Sequence, residues 1–333
     1  MRGLFGYTFV FCLQALTSLP CCHWQIPASM VRSTHSPTPE RAWVDRSPHK
    51  SGFVEVNGIR LHYLDWDGQG KTLLFLAGLG HNGHIFDDLA PRFTARFHVV
   101  AMTRRGFGLS DKPDSGYDIE TRVSDILGFL DALHIGRVIL IGHSIAGDEL
   151  TAFAAMHPDR VESLIYLDAA YDHSELAKAL REGYIKELPI SHPSIPEESL
   201  VSVDAYLGNL RKTFSREWSN AFEASIRDGM EIHRDGTVTR RTSDDIYRAI
   251  QNGSVLAPLD YTSVKPPTLS LYEDPSIVFD ATARNATTRE IARNIALITK
   301  SGPQIVTDEI QGAGHYLFID HLEQVVKEMN TFF

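Results

Sequence analysis

Cysteine is absent from residues 23 to 333, because the three cysteines of this 333-residue chain are Cys12, Cys21 and Cys22. A disulfide framework or a thiolate metal site is therefore excluded from most of the chain. No run of lysine or arginine occurs, and 42 acidic residues against 32 basic ones give a net charge of −10. A negative chain without a basic patch is repelled by phosphate backbones, so nucleic acid is not expected as a partner.

Stable membrane insertion is not expected either. The apolar stretch Leu4–Leu16 is too short to span a bilayer, but it follows Arg2 and has the layout of an export signal. We therefore predict a signal peptide over residues 1–22 and a secreted or periplasmic protein; without that signal the protein would be cytoplasmic. Residues 23–50 are rich in Pro, Ser, His and Arg without periodicity, which predicts a flexible linker.

The pattern of residues 51–333 predicts an α/β domain. The Asn57-Gly58 pair predicts a hairpin that opens it. Short apolar runs, typical of buried strands, then follow at Thr72–Ala77, His98–Met102, Val138–Ile141, Leu164–Leu167, Thr268–Leu271 and Ile305–Val306. Helical stretches separate them at Phe86–Ala95, Ile119–Leu133, Ala146–Met156, Ala281–Leu297 and Leu322–Phe332. This alternation predicts a mostly parallel, eight-stranded sheet with helices on both faces.

Residues 171–261 break the alternation of strands and helices. Apolar side chains recur there at helical spacing, for example at Leu176, Leu180 and Tyr184, and Asp235-Gly236 marks a turn. About ninety residues of mainly helical insertion between two core strands predict a cap over the edge of the sheet. Most aromatic residues of the insertion are expected to pack in its own core.

The segment Gly142-His143-Ser144-Ile145-Ala146 directly follows a predicted buried strand and precedes a predicted helix. A nucleophile elbow needs this context, because a sharp strand-to-helix turn exposes the serine hydroxyl. Small residues two positions before and after the serine keep the strained backbone free of clashes. The following helix directs the positive end of its dipole at the site. Ser144 is therefore the predicted nucleophile.

The chain resembles the α/β-hydrolase superfamily over about residues 53–333, and in particular its capped, single-domain serine hydrolases. Besides the elbow, Arg104–Pro113 resembles the R-G-x-G-x-S-D-x-P loop of that family. The resemblance implies a Ser-His-Asp triad and an oxyanion hole. It also sets this chain apart from the dehalogenases and epoxide hydrolases of the superfamily, which have an aspartate where Ser144 stands.

Two backbone N–H groups are the candidates for the oxyanion hole, those of Leu79 and Ile145. Ile145 follows the nucleophile, and Leu79 follows Gly78 in a loop where the family usually has His-Gly. This chain has Ala77 in place of that histidine. Gly78 and His81 are further candidates for the pocket wall, as is His84, although a loop histidine more often lies at the surface.

The predicted base is His315, which lies in the glycine-containing loop Gln311–Leu317 after the last strand and resembles the family's histidine motif. The acid has several candidates. Asp274 stands before Pro275 after the strand that follows the insertion, which matches the family best. Its neighbour Glu273 is an alternative, and so are Asp168 and Asp172, because some relatives place the acid one strand earlier.

Asp148 lies four residues after Ser144, in the first turns of the elbow helix. A carboxylate near a helix N-terminus is stabilised by the helix dipole, which explains the residue without a further role. The alternative is that Asp148 lies behind the pocket and either tunes the site or contacts the cap.

The residues together predict a serine hydrolase that cleaves a small-molecule carboxylic ester, or a related acyl bond, through an acyl-enzyme. No metal or organic cofactor is implied for this reaction. Alternatives on the same fold are a lactonase, a carbon–carbon bond hydrolase, a prolyl aminopeptidase and a cofactor-free peroxidase. A non-catalytic receptor for small molecules is an alternative of another class, since fold alone does not fix function.

Overall fold

In the computed structural model of the protein, a hairpin opens the fold. Strands β1 (Lys50–Val56) and β2 (Ile59–Asp65) pair antiparallel. The turn residues Asn57 and Gly58 both have positive φ angles, 51° and 77°. A two-residue turn with both φ angles positive matches the twist of the two strands, so the structure agrees with the predicted Asn-Gly hairpin.

The structure describes residues 45–333, apart from 170, 172, 187, 189–195, 197, 198, 258, 278–295 and 297–304. The predicted signal peptide, most of the predicted linker and nearly all of the predicted helix Ala281–Leu297 lie outside the described residues, so these predictions stay untested. Residues 47–333 form one compact unit.

The central sheet has eight strands in the order β1-β2-β4-β3-β5-β6-β9-β10. Its remaining strands are β3 (Thr72–Leu76), β4 (His98–Met102), β5 (Val138–His143), β6 (Val161–Leu167), β9 (Thr268–Tyr272) and β10 (Ile305–Glu309). From β4 to β10 neighbouring strands pair in parallel, and only the pairs β1–β2 and β2–β4 are antiparallel. The predicted mostly parallel, eight-stranded sheet is confirmed.

The helices cover both faces of this sheet or lie between β6 and β9. They are α1 (Ile119–Ala132), α2 (Ala146–Met156), α3 (Ser174–Arg181), α4 (Val203–Thr213), α5 (Asn220–Asp228), α6 (Asp244–Val255), α7 (Leu317–Asp320) and α8 (Leu322–Phe332). The predicted helix Phe86–Ala95 is wrong, because two short 3-10 helices, Gly83–Phe86 and Ala90–Phe93, stand there instead. Pro91 lacks the N–H that a continuous α-helix would need at that position.

Between β6 and β9 the described residues form helices α3 to α6 and a small hairpin. Strands β7 (Met230–Ile232) and β8 (Val238–Arg240) pair antiparallel around Gly236, whose φ is 86°. This agrees with the predicted turn at Asp235-Gly236 and with a mainly helical insertion. Nowhere in the described part of the chain is a helix both long and apolar enough to cross a membrane.

A separate apolar core lies on each face of the sheet. Helices α1 and α2 pack on one face through side chains such as Phe129 and Phe153, whereas Phe86, Phe318 and Met329 pack on the other. Strand residues that alternate along β3 point to the two cores in turn, as the period of a β-strand requires. The sheet is thereby buried on both faces, which explains the non-alternating apolar runs in its sequence.

Buried charges fasten the loop after β4 to the helices. Arg104 donates two hydrogen bonds to Glu149, at 2.5 and 2.6 Å, and Arg122 donates a third at 3.0 Å. Arg105 makes a bidentate pair with Asp125, at 2.6 and 2.7 Å. All five side chains are almost completely buried. The charged side chains of this loop therefore have the structural role predicted for them, which is to hold the loop against α1 and α2.

Replacing Glu149 with Gln should lower the free energy of unfolding by about 3–5 kcal/mol, because two buried guanidinium groups would lose their carboxylate. The matched control is Glu323→Gln, which removes an exposed carboxylate that also accepts two hydrogen bonds from one arginine, Arg92. Exposed pairs of this kind contribute little. Urea unfolding of both variants at pH 7.5 measures the difference, and equal effects would contradict the prediction.

Candidate functional site

Ser144 lies in a strained turn between β5 and α2. Its φ is 55°, in the left-handed region that non-glycine residues rarely adopt. A Cβ atom on Gly142 would lie 2.7 Å from Leu150 Cδ1 and 3.1 Å from Ala146 Cβ. The residue two positions before Ser144 therefore has to be glycine, and its neighbour two positions after is the small Ala146. The turn has the backbone geometry that a nucleophile elbow requires.

The Ser144 side chain is buried, and its hydroxyl makes no hydrogen bond within the described residues. Its backbone N–H donates to Leu167 O at 3.3 Å, which ties the elbow to the end of the next strand, β6. A buried hydroxyl without a partner costs free energy, so native structures rarely keep one outside functional sites.

His315 lies in the loop between β10 and α7, as predicted from its glycine-rich surroundings. Its Nδ1 is 2.6 Å from Oδ2 of Asp168, the residue that directly follows β6. The Asp168 carboxylate also accepts hydrogen bonds from Glu273 N and Tyr171 Oη, both at 3.2 Å. Asp168 is buried and has a φ of 45°. These two hydrogen bonds hold the Asp168 carboxylate in place beside the imidazole.

His315 and Ser144 lie at the same carboxyl edge of the sheet, with His143 next to both. The ring of His143, the residue before Ser144, lies 4.5 Å from the ring of His315, measured between centroids. His143 Nε2 donates a hydrogen bond to His315 O at 3.0 Å. Since β5 and β6 are neighbours and end side by side, Ser144, Asp168 and His315 occupy one stretch of that edge.

The expectation that Asp274 would hold His315 does not agree with the geometry. Asp274 accepts hydrogen bonds from Ser276 N at 2.7 Å and Gly312 N at 2.8 Å. Partial burial acts to raise the pKa of Asp274, but these hydrogen bonds outweigh it and the pKa is lowered. Both carboxylate oxygens of Asp274 hold turns together, and the carboxylate that contacts the imidazole of His315 is that of Asp168.

The other two candidates for the acid have different outcomes. Glu273 takes part through its backbone N–H, which donates to Asp168 Oδ1. Asp172 lies outside the described residues. Asp168 was among the alternatives in the sequence, and of these candidates it is the one whose carboxylate contacts His315, at the end of β6 next to β5.

The loop after β3 lies directly against the elbow. A Cβ atom on Gly78 would lie 2.7 Å from His143 Nδ1 and 3.2 Å from Ser144 Cβ, so only glycine allows this approach. Leu79 follows, while Ile145 N–H belongs to the first turn of α2, where N–H groups lack partners within the helix. The loop is supported by Arg104, whose Nη2 donates to Ala77 O at 2.9 Å. An arginine thus braces the position where the family usually has histidine.

His81 connects three parts of the fold. Its Nδ1 is 3.0 Å from Ser225 Oγ on α5, and its Nε2 is 3.0 Å from Tyr316 Oη, next to His315. Burial, together with repulsion from His315, lowers the pKa of His81 to about 3. His84, in contrast, pairs with Asp87 at 2.9 Å. Of the two loop histidines, it is His81 that belongs to the surroundings of His315.

Asp148 is buried in the first turn of α2. Its Oδ2 is 3.3 Å from Nε2 of His173, which directly precedes α3 of the insertion. Its Oδ1 accepts no hydrogen bond from any described residue. The carboxylate thus contacts the insertion, in agreement with one of the two roles considered for it.

Sequence reasoning assigned no role to His143 or Tyr316. Burial, followed by repulsion from His315 and His81, lowers the pKa of His143 well below its usual value, so the ring is neutral and donates through Nε2 to the His315 backbone. Tyr316 was visible only as the residue after His315. Its contact with His81 joins residues 235 positions apart, which no local pattern indicates.

Comparisons with known proteins agree with this architecture. A model described as the alpha/beta hydrolase family matches residues 73–328. The chain is 34% identical over 155 residues to 2-(acetamidomethylene)succinate hydrolase of Mesorhizobium japonicum, which is 46% of this chain and 53% of that protein. It is 34% identical over 113 residues to a soluble epoxide hydrolase of Corynebacterium sp., which is 34% of this chain and 39% of that protein.

These alignments span about half of the first relative and less of the second. The crystal structure of E-2-(acetamidomethylene)succinate hydrolase is similar over a longer stretch. It superposes with a TM-score of 0.65 and 25% identity, and the match covers 85% of this chain and 98% of that one.

The lowered pKa of His81 predicts how stability depends on pH. Below about pH 6.5 the unfolded chain protonates this histidine. The folded state keeps it neutral until about pH 3, so the unfolded state binds more protons and stability falls as the pH drops. Replacing His81 with Gln should reduce the loss of unfolding free energy between pH 7.5 and pH 5 by about 2 kcal/mol, at about 1.4 kcal/mol per pH unit.

Urea unfolding at the two pH values measures this loss in wild type and variant. The control is His134→Asn, because His134 is exposed and asparagine tolerates its positive φ of 56°. A wild-type slope in the His81→Gln variant would show that His81 does not titrate as described.

Proposed function

Because the chain belongs to the alpha/beta hydrolase family, we propose that it is a serine hydrolase that cleaves a small-molecule carboxylic ester or a related acyl bond. One observation carries the proposal: His315 Nδ1 is 2.6 Å from a buried carboxylate, beside a strained turn that holds a buried serine hydroxyl. In the proposed mechanism Ser144 is the nucleophile, His315 the base and Asp168 the group that orients the imidazole.

The chemistry follows from what each group can donate or accept. His315 takes the Ser144 proton on Nε2 while Ser144 Oγ attacks the carbonyl carbon, and the carbonyl oxygen gains the negative charge. The N–H groups of Leu79 and Ile145 are the proposed donors to that oxygen. The proton on His315 then passes to the leaving alcohol, and a water molecule deprotonated by His315 releases the acid from Ser144.

The nucleophile argues for acyl transfer rather than for epoxide opening, the activity that the name of one relative states. Ser144 needs a base to become nucleophilic, and the arrangement around His315 provides one. The name of another relative states the hydrolysis of an acetamidomethylene succinate. Hydrolysis is common to that name and to this proposal.

The insertion supports an apolar substrate group. Leu79 and Ile145 pack in one buried cluster with Phe107 and with Tyr247 and Ile250 of α6. The side chains that flank the proposed oxyanion hole are therefore covered by the insertion, which we propose acts as a cap. A site with such walls favours a small apolar acyl or aromatic group over a charged one.

Labelling with a fluorophosphonate tests the nucleophile. Wild-type protein should be labelled at Ser144, and Ser144→Ala should lose both the label and hydrolysis of aryl esters, by at least about 10³-fold. The control is Ser124→Ala, an exposed serine on α1, which should label like the wild type. No labelling of the wild type would contradict the proposal and favour a non-catalytic receptor.

A matched pair of variants tests the acid. Asp168→Asn should lower kcat by about 10⁴-fold, because the amide no longer stabilises the charged imidazole or its productive tautomer. Asp274→Asn should lower the thermal midpoint and leave kcat within about tenfold, since Asp274 holds two turns together and makes no hydrogen bond to His315 within the described residues. The reverse order of the two kcat values would assign the role to Asp274.

The substrate class is tested by steady-state kinetics on aryl esters of increasing acyl length, beside lactones and prolyl amides. We expect the highest kcat/KM for short aryl esters. If the protein is labelled at Ser144 but cleaves only a lactone or a prolyl amide, the serine mechanism is supported. The proposed ester substrate class is then contradicted.

A further inference from the structure

A second cluster of ionisable side chains lies where β1 begins. His49 directly precedes this strand, His84 lies in the 3-10 helix after β3, and Asp87 follows that helix. His84 Nδ1 is 2.9 Å from Asp87 Oδ2, and His49 Nε2 is 3.6 Å from Asp87 Oδ1. One nitrogen of each imidazole and one carboxylate oxygen all lie within 4.8 Å of one another.

The cluster is buried, although all three residues are polar. The side chains of His49, His84 and Asp87 are 7%, 11% and 7% exposed. A hydrogen bond from His84 accounts for Oδ2 of the carboxylate, but Oδ1 accepts none within the described residues. The pair with His84 therefore accounts for one carboxylate oxygen of Asp87, Oδ2. The other oxygen, Oδ1, faces His49.

Aromatic rings pack against the two imidazoles. Trp66 makes an edge contact with His49, with ring centroids 5.5 Å apart, and His49 makes another with His84 at 4.9 Å. These contacts hold the two rings beside the carboxylate of Asp87. Neutral imidazole is the commonest metal ligand in proteins.

We propose that His49, His84 and Asp87 bind one divalent transition metal ion of the zinc type. Ligand atoms about 2.0–2.1 Å from a tetrahedral zinc lie about 3.4 Å apart, and the 3.6 Å between His49 Nε2 and Asp87 Oδ1 is close to this spacing. His84 Nδ1 lies 2.9 Å from the other oxygen of the same carboxylate, Oδ2. Imidazole nitrogen and carboxylate oxygen are both ordinary zinc ligands. The ion would neutralise the buried carboxylate and use the oxygen that has no hydrogen bond.

The metal would have a structural role. His49 fixes the start of β1, and His84 and Asp87 belong to the segment that continues from the loop of Gly78 and Leu79. A bound ion would therefore link the first strand of the sheet to the base of the loop that approaches Ser144. Because a metal that binds the folded chain more tightly than the unfolded chain raises stability, its effect is measurable without any substrate.

Full-length protein, freed of metal by a chelator and dialysis, is titrated with Zn²⁺ alone by isothermal calorimetry. We expect one ion per chain and a rise of the thermal midpoint on addition of Zn²⁺. Co²⁺ in place of Zn²⁺ should give the visible absorption of a four-coordinate site. Ser144→Ala should bind the metal as the wild type does, which separates this site from the proposed nucleophile.

The variants His84→Ala and Asp87→Asn should each lower the Zn²⁺ affinity by roughly 100-fold or more, since loss of a ligand exceeds the 10–100-fold cost of losing a residue that only supports one. The matched control is His98→Ala, which disrupts another histidine–aspartate pair, His98 with Asp65 at 3.2 Å. That control should keep wild-type affinity.

If His84→Ala or Asp87→Asn fails to fold, His49→Gln replaces it, because His49 lies outside the regular strands and helices. The proposal is overturned if the wild type binds neither Zn²⁺ nor Co²⁺ in a one-to-one ratio. It is equally overturned if folded variants of His49, His84 or Asp87 bind Zn²⁺ with the affinity of the wild type.

Discussion

The site depends on two residues with left-handed backbones at the ends of adjacent strands. Ser144 has a φ of 55° and Asp168 a φ of 45°, and each follows its strand without an intervening residue. Such conformations cost about 1–3 kcal/mol each and persist only where the surroundings hold them. Here the hydrogen bond from Ser144 N to Leu167 O joins the two turns. The hydrogen bond thereby links the two strained turns, and both side chains lie at the same edge of the sheet.

Rigid surroundings hold this edge in place. On one side, Glu149 on the elbow helix binds Arg104, and Arg104 in turn binds the backbone of Ala77 in the loop after β3. On the other side, Asp274 fastens the turn after β9 to the loop of His315. The charges that brace the site are thus different from those proposed to react in it. Asp274 is hydrogen-bonded to the backbone of two turns, whereas Asp168 lies against the imidazole of His315, so the two aspartates have different roles.

The parts that follow from local pattern were predictable from the sequence. Ser144 stands in a short motif with a strand before it and a helix after it, and His315 follows the last strand in a glycine-rich loop. The sheet follows from apolar runs whose period reports burial on both faces. These features depend on residues close together in the chain, and the structure agrees with them.

The carboxylate that contacts His315 was not predictable, because the contact depends on which strands are neighbours. Asp168 and Asp274 both follow a strand, and both strands end at the same edge of the sheet. Only the positive φ of Asp168 and its position beside β5 direct one of them to His315. The contact between His81 and Tyr316 was unpredictable for the same reason, since it joins two segments that are distant in the chain. The periodicity of a sequence predicts strands and helices but not which distant side chains touch.

Three imidazoles lie around the proposed nucleophile, and their surroundings separate their roles. Burial and mutual repulsion keep His81 and His143 neutral, with pKa values below the usual one. A neutral imidazole has one N–H and one acceptor nitrogen; His81 uses both, on Ser225 and Tyr316, and His143 uses Nε2 on the backbone of His315. His315 alone among the three has a carboxylate against its ring. In the proposed mechanism the Ser144 proton passes to His315, and the two neutral histidines help to keep the loop of His315 in position.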